Sequence, residues 1–508
     1  MKRAITVLAL LATSCTTLEP KYVRPTPAVP SSWPVGDPYL IAAEAGLPAL
    51  TYKQVFTDPR LQTLIAEAVA NNQNLRAAAA NIAAAREQYR IQRAQQFPVL
   101  NATGGATISG SRSGGGGSSS GGNGGTTGGS GGSSGGKSIS TEFQAGLSVP
   151  SYEVDLFGRL RSLTDVELNR YFSTEAGARA TRLTLVANVA ASWLDYAADS
   201  SLLKIDEQTA TSAQESVRLT RIRLEGGIAP RTDLDQAEQL LDSAQADLAR
   251  QRTAVAQDVN ALTLLVGAPV APSLLAGSID EALGTIAPMP TGLDSYVLLR
   301  RPDVVQAEYE LKSANANIGA ARAALFPRIT LTGLLGFASS ALLKLFTGGA
   351  FGWSAGANAA YTIFQAGAGH ANLRMTEAQQ RAAVATYQNA IQTAFREVAD
   401  ALARRGTMND EIAAQQRNQA VSADAYLLEE DRYRAGIDPF LNVLVSQRSY
   451  FSAQQSLVQT KLTAAQNIVT TYSSIGGDTL LEGTPICTRL PGDTGVPNAV
   501  LGTECLPD

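Results

Sequence analysis

The feature that most constrains this chain is a long segment that occurs twice, at a constant offset of 209 residues. Residues 158–267 map onto residues 367–476, and each copy joins a long helical pattern to a shorter one through a glycine-containing turn. The fold is therefore an internal duplication. Each long pattern spans about 68 residues without proline, so its helix is about 100 Å long, roughly three times the thickness of a bilayer core.

The turns of the two copies share their residues as well as their positions. Gly227, Ile228 and Pro230 recur as Gly436, Ile437 and Pro439 at the same offset. Glycine suits the left-handed conformation that ends a helix, and proline cannot continue one. We therefore predict a long helical hairpin in each copy, with its turn at Gly226 and Gly227 in the first and at Gly436 in the second.

A period of two replaces the helical period in front of each long helix. Apolar and polar residues alternate in residues 100–109 and 143–150, and again in residues 328–337 and 353–364. Such alternation predicts β-strands, which form one hairpin over residues 98–152 and another over residues 327–364. A Gly/Ser tract at residues 110–136 would often be an interdomain linker, but the repeat makes it the loop of the first hairpin.

Alternating strands of about ten residues are typical of a transmembrane β-barrel, although a soluble half-buried sheet shows the same pattern. In lipid, four strands cannot close a barrel, and an open edge costs several kcal/mol per unpaired backbone group. Closure therefore requires other copies of the chain, in a number that the pattern does not set. No run of 18 apolar residues offers a transmembrane helix.

Composition argues against two other classes of function. One histidine and three cysteines in 508 residues are few for a chain that performs acid–base catalysis or holds a transition metal. A formal net charge of -4 provides no basic surface for nucleic acid. We expect no enzyme activity, no cofactor, no metal site and no nucleic-acid partner.

The N-terminus has the pattern of a secretory signal over residues 1–14, with two basic residues followed by a short apolar run. Residues 12–15, Ala-Thr-Ser-Cys, resemble a bacterial lipobox, except that leucine is commoner where Ala12 stands. That resemblance implies that Cys15 is acylated and anchors the chain in the outer membrane, with a palmitate among its acyl chains. The alternative is an ordinary signal peptide with a bystander cysteine.

These patterns divide the mature chain into four parts. Residues 15–50, rich in proline, form the anchor and an extended tether. Residues 51–290 and 291–477 are the two repeats, each consisting of a helix, a β-hairpin and a long helical hairpin. Residues 478–508 are a tail in which Cys487 and Cys505 either pair as a disulfide or remain free thiols.

Four motifs resemble those of one known family. They begin at Tyr152 (YEVDLFGRLR), Arg223 (RLEGGIAPRTDLDQAEQLL), Leu299 (LRRPDVVQAEYELKSANANIGAARAALFPRITLTG) and Arg432 (RYRAGIDPFLNVLVSQRSYFSAQQSL). Their order and duplication resemble the TolC-like outer membrane factors, in particular the lipoprotein branch of tripartite resistance pumps, over about residues 20–477.

The resemblance implies an α+β membrane protein that assembles as a homotrimer. A 12-stranded β-barrel in outer membrane lipid would continue into a 12-helix α-barrel of coiled-coil helices that crosses the periplasm. The chain would be a passive conduit for small toxic compounds such as antibiotics, supplied by a periplasmic adaptor protein and an inner-membrane transporter. A duct for protein export has the same architecture, and a structural or adhesive surface lipoprotein is a further alternative.

The family resemblance places a channel gate at the turns of the helical hairpins. Leu441 matches the family position of an apolar ring, whereas Val445 stands where the family often has an aspartate. The alternative for each charged residue is a solvated helix end. The candidate gate residues are Arg432, Tyr433, Arg434, Leu441, Asp438, Asp233 and Asp235.

Overall fold

The computed structural model of the protein describes residues 17–27, 29–30, 34, 51–112, 137–287, 295–347 and 349–477. The predicted signal peptide and Cys15 lie outside the described residues, as do most of the tether, most of the Gly/Ser loop, and Cys487 and Cys505.

The described part of the chain is mostly helical, with one small sheet. Its helices are α1 (Tyr52–Val55), α2 (Pro59–Asn71), α3 (Gln73–Ala94), α4 (Arg159–Glu225), α5 (Arg231–Val266), α6 (Ile279–Gly284), α7 (Pro302–Ala323), α8 (Ala368–Arg434) and α9 (Phe440–Ser474). Its strands are β1 (Asn101–Arg112), β2 (Lys137–Val154), β3 (Arg328–Ser339) and β4 (Phe351–Ala360).

The chain separates into two compact units. One holds the described residues of 1–22, 88–167 and 313–380, which include the whole sheet. The other holds the described residues of 23–87, 168–312 and 381–508, which include α5, α9 and most of α4 and α8. Both repeats contribute to both units, so the duplication does not divide the structure into an N-terminal and a C-terminal half.

The long helices match the repeat in length. Helices α4 and α8 have 67 residues each, and at 1.5 Å per residue each is about 100 Å long. A glycine with positive φ precedes each of them: Gly158 has a φ of 71° and Gly367 a φ of 81°. Glycine adopts this conformation without steric cost, which allows the chain to change direction between strand and helix.

The structure divides the first predicted helix of repeat one, which the sequence pattern continues from Asp58 to Gln96, into α2 and α3. The break is at Asn72, whose ψ of 126° is not helical. Its side chain accepts hydrogen bonds from the N–H groups of Asn74 (2.9 Å) and Leu75 (3.2 Å) and donates one to the carbonyl of Leu265 (2.8 Å). Asn72 therefore caps α3 and ties the break to α5.

The sheet is antiparallel in the order β1-β2-β3-β4, and its register separates a polar face from an apolar one. Ser109 lies opposite Ser140, and their hydroxyl oxygens are 2.7 Å apart on the polar face. On the other face, Phe337 lies opposite Phe351 with ring centroids 5.5 Å apart. Among the strands that the structure describes, β1 and β4 each pair along a single edge.

The last strand differs from its predicted extent. The pattern predicts a strand over residues 353–364, whereas β4 runs from Phe351 to Ala360. Ala360 pairs with Arg328, the first residue of β3. The preceding residue, Pro327, has no N–H to donate, so the ladder cannot extend beyond that pair.

The core of the helical unit lies where the long helices meet the short ones. Trp193 is fully buried, and its indole N–H donates to the carbonyl of Leu274 at 3.0 Å. Phe56 packs edge-to-face on Tyr472 with ring centroids 5.5 Å apart. Among the helices described, none is both long and apolar enough to cross a membrane.

Two glycines of neighbouring strands, Gly146 and Gly336, lie opposite each other in the register. A Cβ on Gly146 would be 2.6 Å from the carbonyl oxygen of Leu335 and 2.8 Å from the Cα of Gly336. We predict that Gly146→Ala destabilises the sheet by about 1–3 kcal/mol, because backbone atoms cannot yield as a side chain would. Thermal unfolding in detergent should show a lower midpoint.

The matched control is Gly333→Ala in the central strand β3, where an added Cβ meets nothing within 4 Å. This variant should unfold close to the wild-type midpoint. Equal unfolding midpoints for the Gly146 and Gly333 variants would contradict the prediction. They would show that the backbone shifts enough to accommodate a Cβ at Gly146.

Candidate functional site: the tips of the helical hairpins

The turns at the ends of α4 and α8 have the same hydrogen-bonded geometry. At the first, the N–H of Ile228 donates to the carbonyl of Arg223 (2.8 Å) and that of Gly227 to Leu224 (2.9 Å). The second repeats both bonds at the 209-residue offset, from Ile437 to Arg432 (2.9 Å) and from Gly436 to Tyr433 (2.9 Å). Both are Schellman motifs, and both glycines have the positive φ that the motif requires.

A proline precedes the returning helix of each hairpin. Pro230 before α5 and Pro439 before α9 both have extended backbones, with ψ of 157° and 151°. A proline in this position has no N–H that the following helix would need to satisfy. The local sequence therefore determines the turn geometry in both copies.

The two tips are joined to each other by Arg223 and Tyr433. The guanidinium carbon of Arg223 lies 4.4 Å from the ring centroid of Tyr433, and its Nη1 donates to the Tyr433 carbonyl at 3.1 Å. The Tyr433 ring also packs against the ring of Phe440, and the two ring centroids are 5.2 Å apart. Arg223 is thus both a cation over an aromatic face and a hydrogen-bond donor between the hairpins.

An apolar cluster supports this contact with residues from all four long helices. Its partly buried members include Tyr426 and Tyr433 of α8. The buried members are Ala213 and Val217 of α4, Ala237, Leu240 and Ala244 of α5, and Phe440, Val443 and Leu444 of α9. Small residues predominate in α4 and α5, which lets these helices approach closely, while Phe440 supplies the largest side chain.

Polar groups extend the contact away from the turns. The hydroxyl oxygens of Ser212 and Tyr426 lie 3.2 Å apart, and the Gln447 amide donates to Ser212 at 3.3 Å. In contrast, the buried Tyr433 hydroxyl and the Gln447 Oε1 have no hydrogen-bond partner among the described residues. A buried polar atom without a partner is costly, so each marks a place where a further partner would stabilise the tip.

The structure gives the predicted charged residues local partners. Arg432 pairs with Asp438 within the second turn, and the Arg434 guanidinium is 2.6 Å from the Glu430 carboxylate one helical turn earlier. In the first turn, Asp235 faces Arg231 at 3.8 Å. Burial raises the pKa of Asp233, and the charge of Arg223 opposes that shift.

Leu441 and Val445 lie four residues apart on α9 and are exposed in the single chain, at 54% and 58%. Positions four apart share a helix face, so the residue predicted to form an apolar ring and the residue that replaces the family aspartate form one apolar strip. Neither belongs to the buried cluster.

Sequence reasoning did not include Arg223 and Phe440 among the candidates. The repeat contains a signal for Arg223, because the 209-residue offset maps it onto Arg432. The two arginines occupy the same position of the turn but point to different partners, one to Tyr433 and the other to Asp438. The duplication thus predicts the backbone role and not the side-chain contact.

Acidic side chains concentrate along the seam between α4 and α5. Asp206 is 4% exposed and its Oδ1 has no hydrogen-bond partner among the described residues. Burial, together with the charge of Asp247, raises its pKa to about 6. Burial and the neighbouring carboxylates of Asp199 and Asp195 raise the pKa of Asp258 to about 7.

The chain has clear relatives among known proteins. A family model for outer membrane efflux proteins matches residues 64–268 and 294–477. The probable efflux pump outer membrane protein TtgC of Pseudomonas putida is 41% identical over 476 residues, which cover 93% of this chain and 95% of that protein. The cation efflux system protein CusC of Escherichia coli K12 is 35% identical over 474 residues, covering 92% and 98%.

Solved structures show the same likeness. A membrane protein from Pseudomonas aeruginosa superposes with a TM-score of 0.79 at 33% identity, covering 93% of this chain and all of that one. The open state of the Neisseria gonorrhoeae MtrE outer membrane channel also gives a TM-score of 0.79 at 33% identity, covering 91% and 99%.

The acids of the α4–α5 seam predict how stability depends on pH. The pKa of Asp258 is about 7 in the folded chain, against about 3.9 in an unfolded chain. As the pH rises between these two values, ionisation of Asp258 increasingly favours the unfolded state. Asp258→Asn cannot ionise, so it should exceed wild type in stability at pH 8 by on the order of 1–2 kcal/mol after solvent screening. This advantage should shrink towards pH 4.

Denaturant unfolding at a series of pH values measures this difference, with Asp242→Asn on the exposed side of α5 as the control. The control should follow the wild-type profile throughout. An Asp258→Asn profile parallel to wild type at every pH would contradict the predicted cost of ionisation.

Proposed function

Because this chain belongs to the outer membrane efflux protein family, a family of channels and not of enzymes, we propose that it is the conduit of a tripartite pump that expels small toxic compounds. One observation carries the proposal. The chain combines a four-stranded sheet that has polar and apolar faces and two open edges with two helices of 67 residues. The sheet is suited to lipid, and each of the two helices is about 100 Å long.

The open edges support a closed oligomer. Along β1 and β4 the outer backbone groups have no partner strand among the described residues, and in hydrocarbon each unpaired group costs several kcal/mol. If β4 of one copy pairs with β1 of the next, three copies close a 12-stranded barrel. The apolar face then meets lipid and the polar face lines water.

The long hairpins supply the second part of the conduit. Each copy contributes the four helices α4, α5, α8 and α9, so three copies supply the 12 staves of an α-barrel in the periplasm. The small residues of the tip cluster, such as Ala213, Ala237 and Ala244, suit helices packed side by side around water. An adaptor protein and an inner-membrane transporter complete the pump, and acylated Cys15 anchors the trimer in outer membrane lipid.

The hairpin tips form the gate of this conduit. The contact of Arg223 with Tyr433 holds the two hairpins of one copy together. The exposed strip of Leu441 and Val445 meets its counterparts around the axis and closes the pore with apolar side chains. Because valine occupies the position of the family aspartate, closure at that level is by dewetting and not by charge.

Deletion of the gene in its host tests the function. An efflux conduit predicts that accumulation of a fluorescent dye or an antibiotic rises in the deletion strain and returns to normal when the intact gene is restored. Loss of a secreted protein with unchanged accumulation would indicate an export duct. Loss of surface attachment alone would indicate a structural or adhesive lipoprotein.

A double substitution tests the gate. Arg432→Ala with Tyr433→Phe removes the ion pair to Asp438 and the Tyr433 hydroxyl while keeping the aromatic ring on Phe440. We predict a higher single-channel conductance in planar bilayers, since loss of the Arg432–Asp438 ion pair loosens the second turn while the cluster that supports the tip stays in place.

The control for this variant is Arg218→Ala, which also breaks an exposed arginine pair, with Glu215 three residues away on the same helix. Its conductance should match wild type. If the double variant also conducts like wild type, Arg432 and Tyr433 are not part of the gate.

A further inference from the structure

Glu142 is an acidic residue on the polar face of the sheet. It lies in β2 opposite Thr107 of β1, two residues from the Ser109–Ser140 pair whose hydroxyl contact defines that face. Residues two apart on a strand project to the same side. The side chain of Glu142 is exposed in the single chain.

The surroundings of Glu142 on this face are uncharged. Its neighbours on the polar face between the Ser109–Ser140 pair and the bulge after Val149 include Leu334 and several small or neutral polar residues. These neutral neighbours are Asn101, Thr103, Gly105, Thr107, Gln144, Gly146, Ser148, Gly336, Ala338, Gly352 and Ser354. No described side chain forms an ion pair with Glu142.

The other acid on this face, Glu153, has a different environment. It lies about 30 Å further along β2, where its carboxylate pairs with Arg159 at 2.8 Å and with Arg328 at 3.4 Å. Its charge is thus neutralised within the chain. Glu142 remains as a fixed negative charge on the lining without a described counterion.

We infer that Glu142 is a determinant of charge selectivity in the β-barrel lumen, where three copies form a ring of carboxylates that favours cationic and zwitterionic solutes and slows anionic ones. The inference rests on the proposed function, since the ring exists only in the closed oligomer. Rings of acidic side chains select cations in other channels by the same electrostatics. Val445 is uncharged, so this position of the gate cannot select ions by charge. The Glu142 ring supplies that charge in the β-barrel instead.

Ion permeation through the purified, reconstituted full-length protein tests the ring. Under a KCl gradient in planar bilayers, the reversal potential gives the ratio of cation to anion permeability. Glu142→Gln should lower this ratio at least about twofold, and Glu142→Lys should shift it towards anions, while Glu142→Asp should keep it. The difference should be large at about 0.1 M salt and nearly vanish at about 1 M, because the Debye length falls from about 10 Å to about 3 Å between these concentrations.

Two variants of the neighbouring Gln144 serve as matched controls on the same face. Gln144→Asn changes the size of a neutral side chain and should leave the ratio unchanged, whereas Gln144→Glu adds charge beside the ring and should raise it. All measurements are repeated in the Arg432→Ala, Tyr433→Phe background. In that background a closed gate at the hairpin tips does not hide the effect of the barrel residues on ion permeability.

The outcomes separate this inference from the proposed function. Trimeric Glu142→Gln channels that conduct, but keep the wild-type permeability ratio in both backgrounds, would overturn the ring and leave the conduit intact. A wild-type chain that forms neither trimers nor channels would overturn both.

Discussion

The unpaired edges of the sheet are the constraint on which the rest of the structure depends. In the outer membrane, where this family acts, hydrocarbon offers no hydrogen bonds to the free backbone groups of β1 and β4. We propose that strands of neighbouring copies satisfy this requirement, so that the polar face lines a pore. The proposed trimer, the placement of Glu142 and the need for a gate all follow from this one requirement.

The hairpin tips show how a duplication acquires different roles in its two copies. The backbone turns are the same, with matching hydrogen bonds and positive-φ glycines. The side chains diverge, because Arg223 reaches across to Tyr433 whereas its counterpart Arg432 pairs locally with Asp438. The arginine of the first turn thus joins the two hairpins of a chain, while the arginine of the second turn stabilises only its own turn.

Prediction from the sequence worked best where the signal was local and periodic. Two long helices, two β-hairpins and both turns were predictable because each depends on a repeating pattern or on a glycine at a defined position. The break at Asn72 was missed because the side chain satisfies backbone groups across the break and bonds to Leu265, 193 residues away. The early end of β4 depends on Pro327 in its partner strand, which the pattern of β4 alone does not contain.

The sequence by itself determined the duplication, the length of the helices, the alternation of the strands and the family of the chain, because these are properties of neighbouring residues and of their spacing. Tertiary structure alone decided which side chains meet. The contact of Arg223 with Tyr433 and the acids facing each other between α4 and α5 join residues that are distant along the chain. Their energies depend on burial and separation in space, which exist only once the helices have packed.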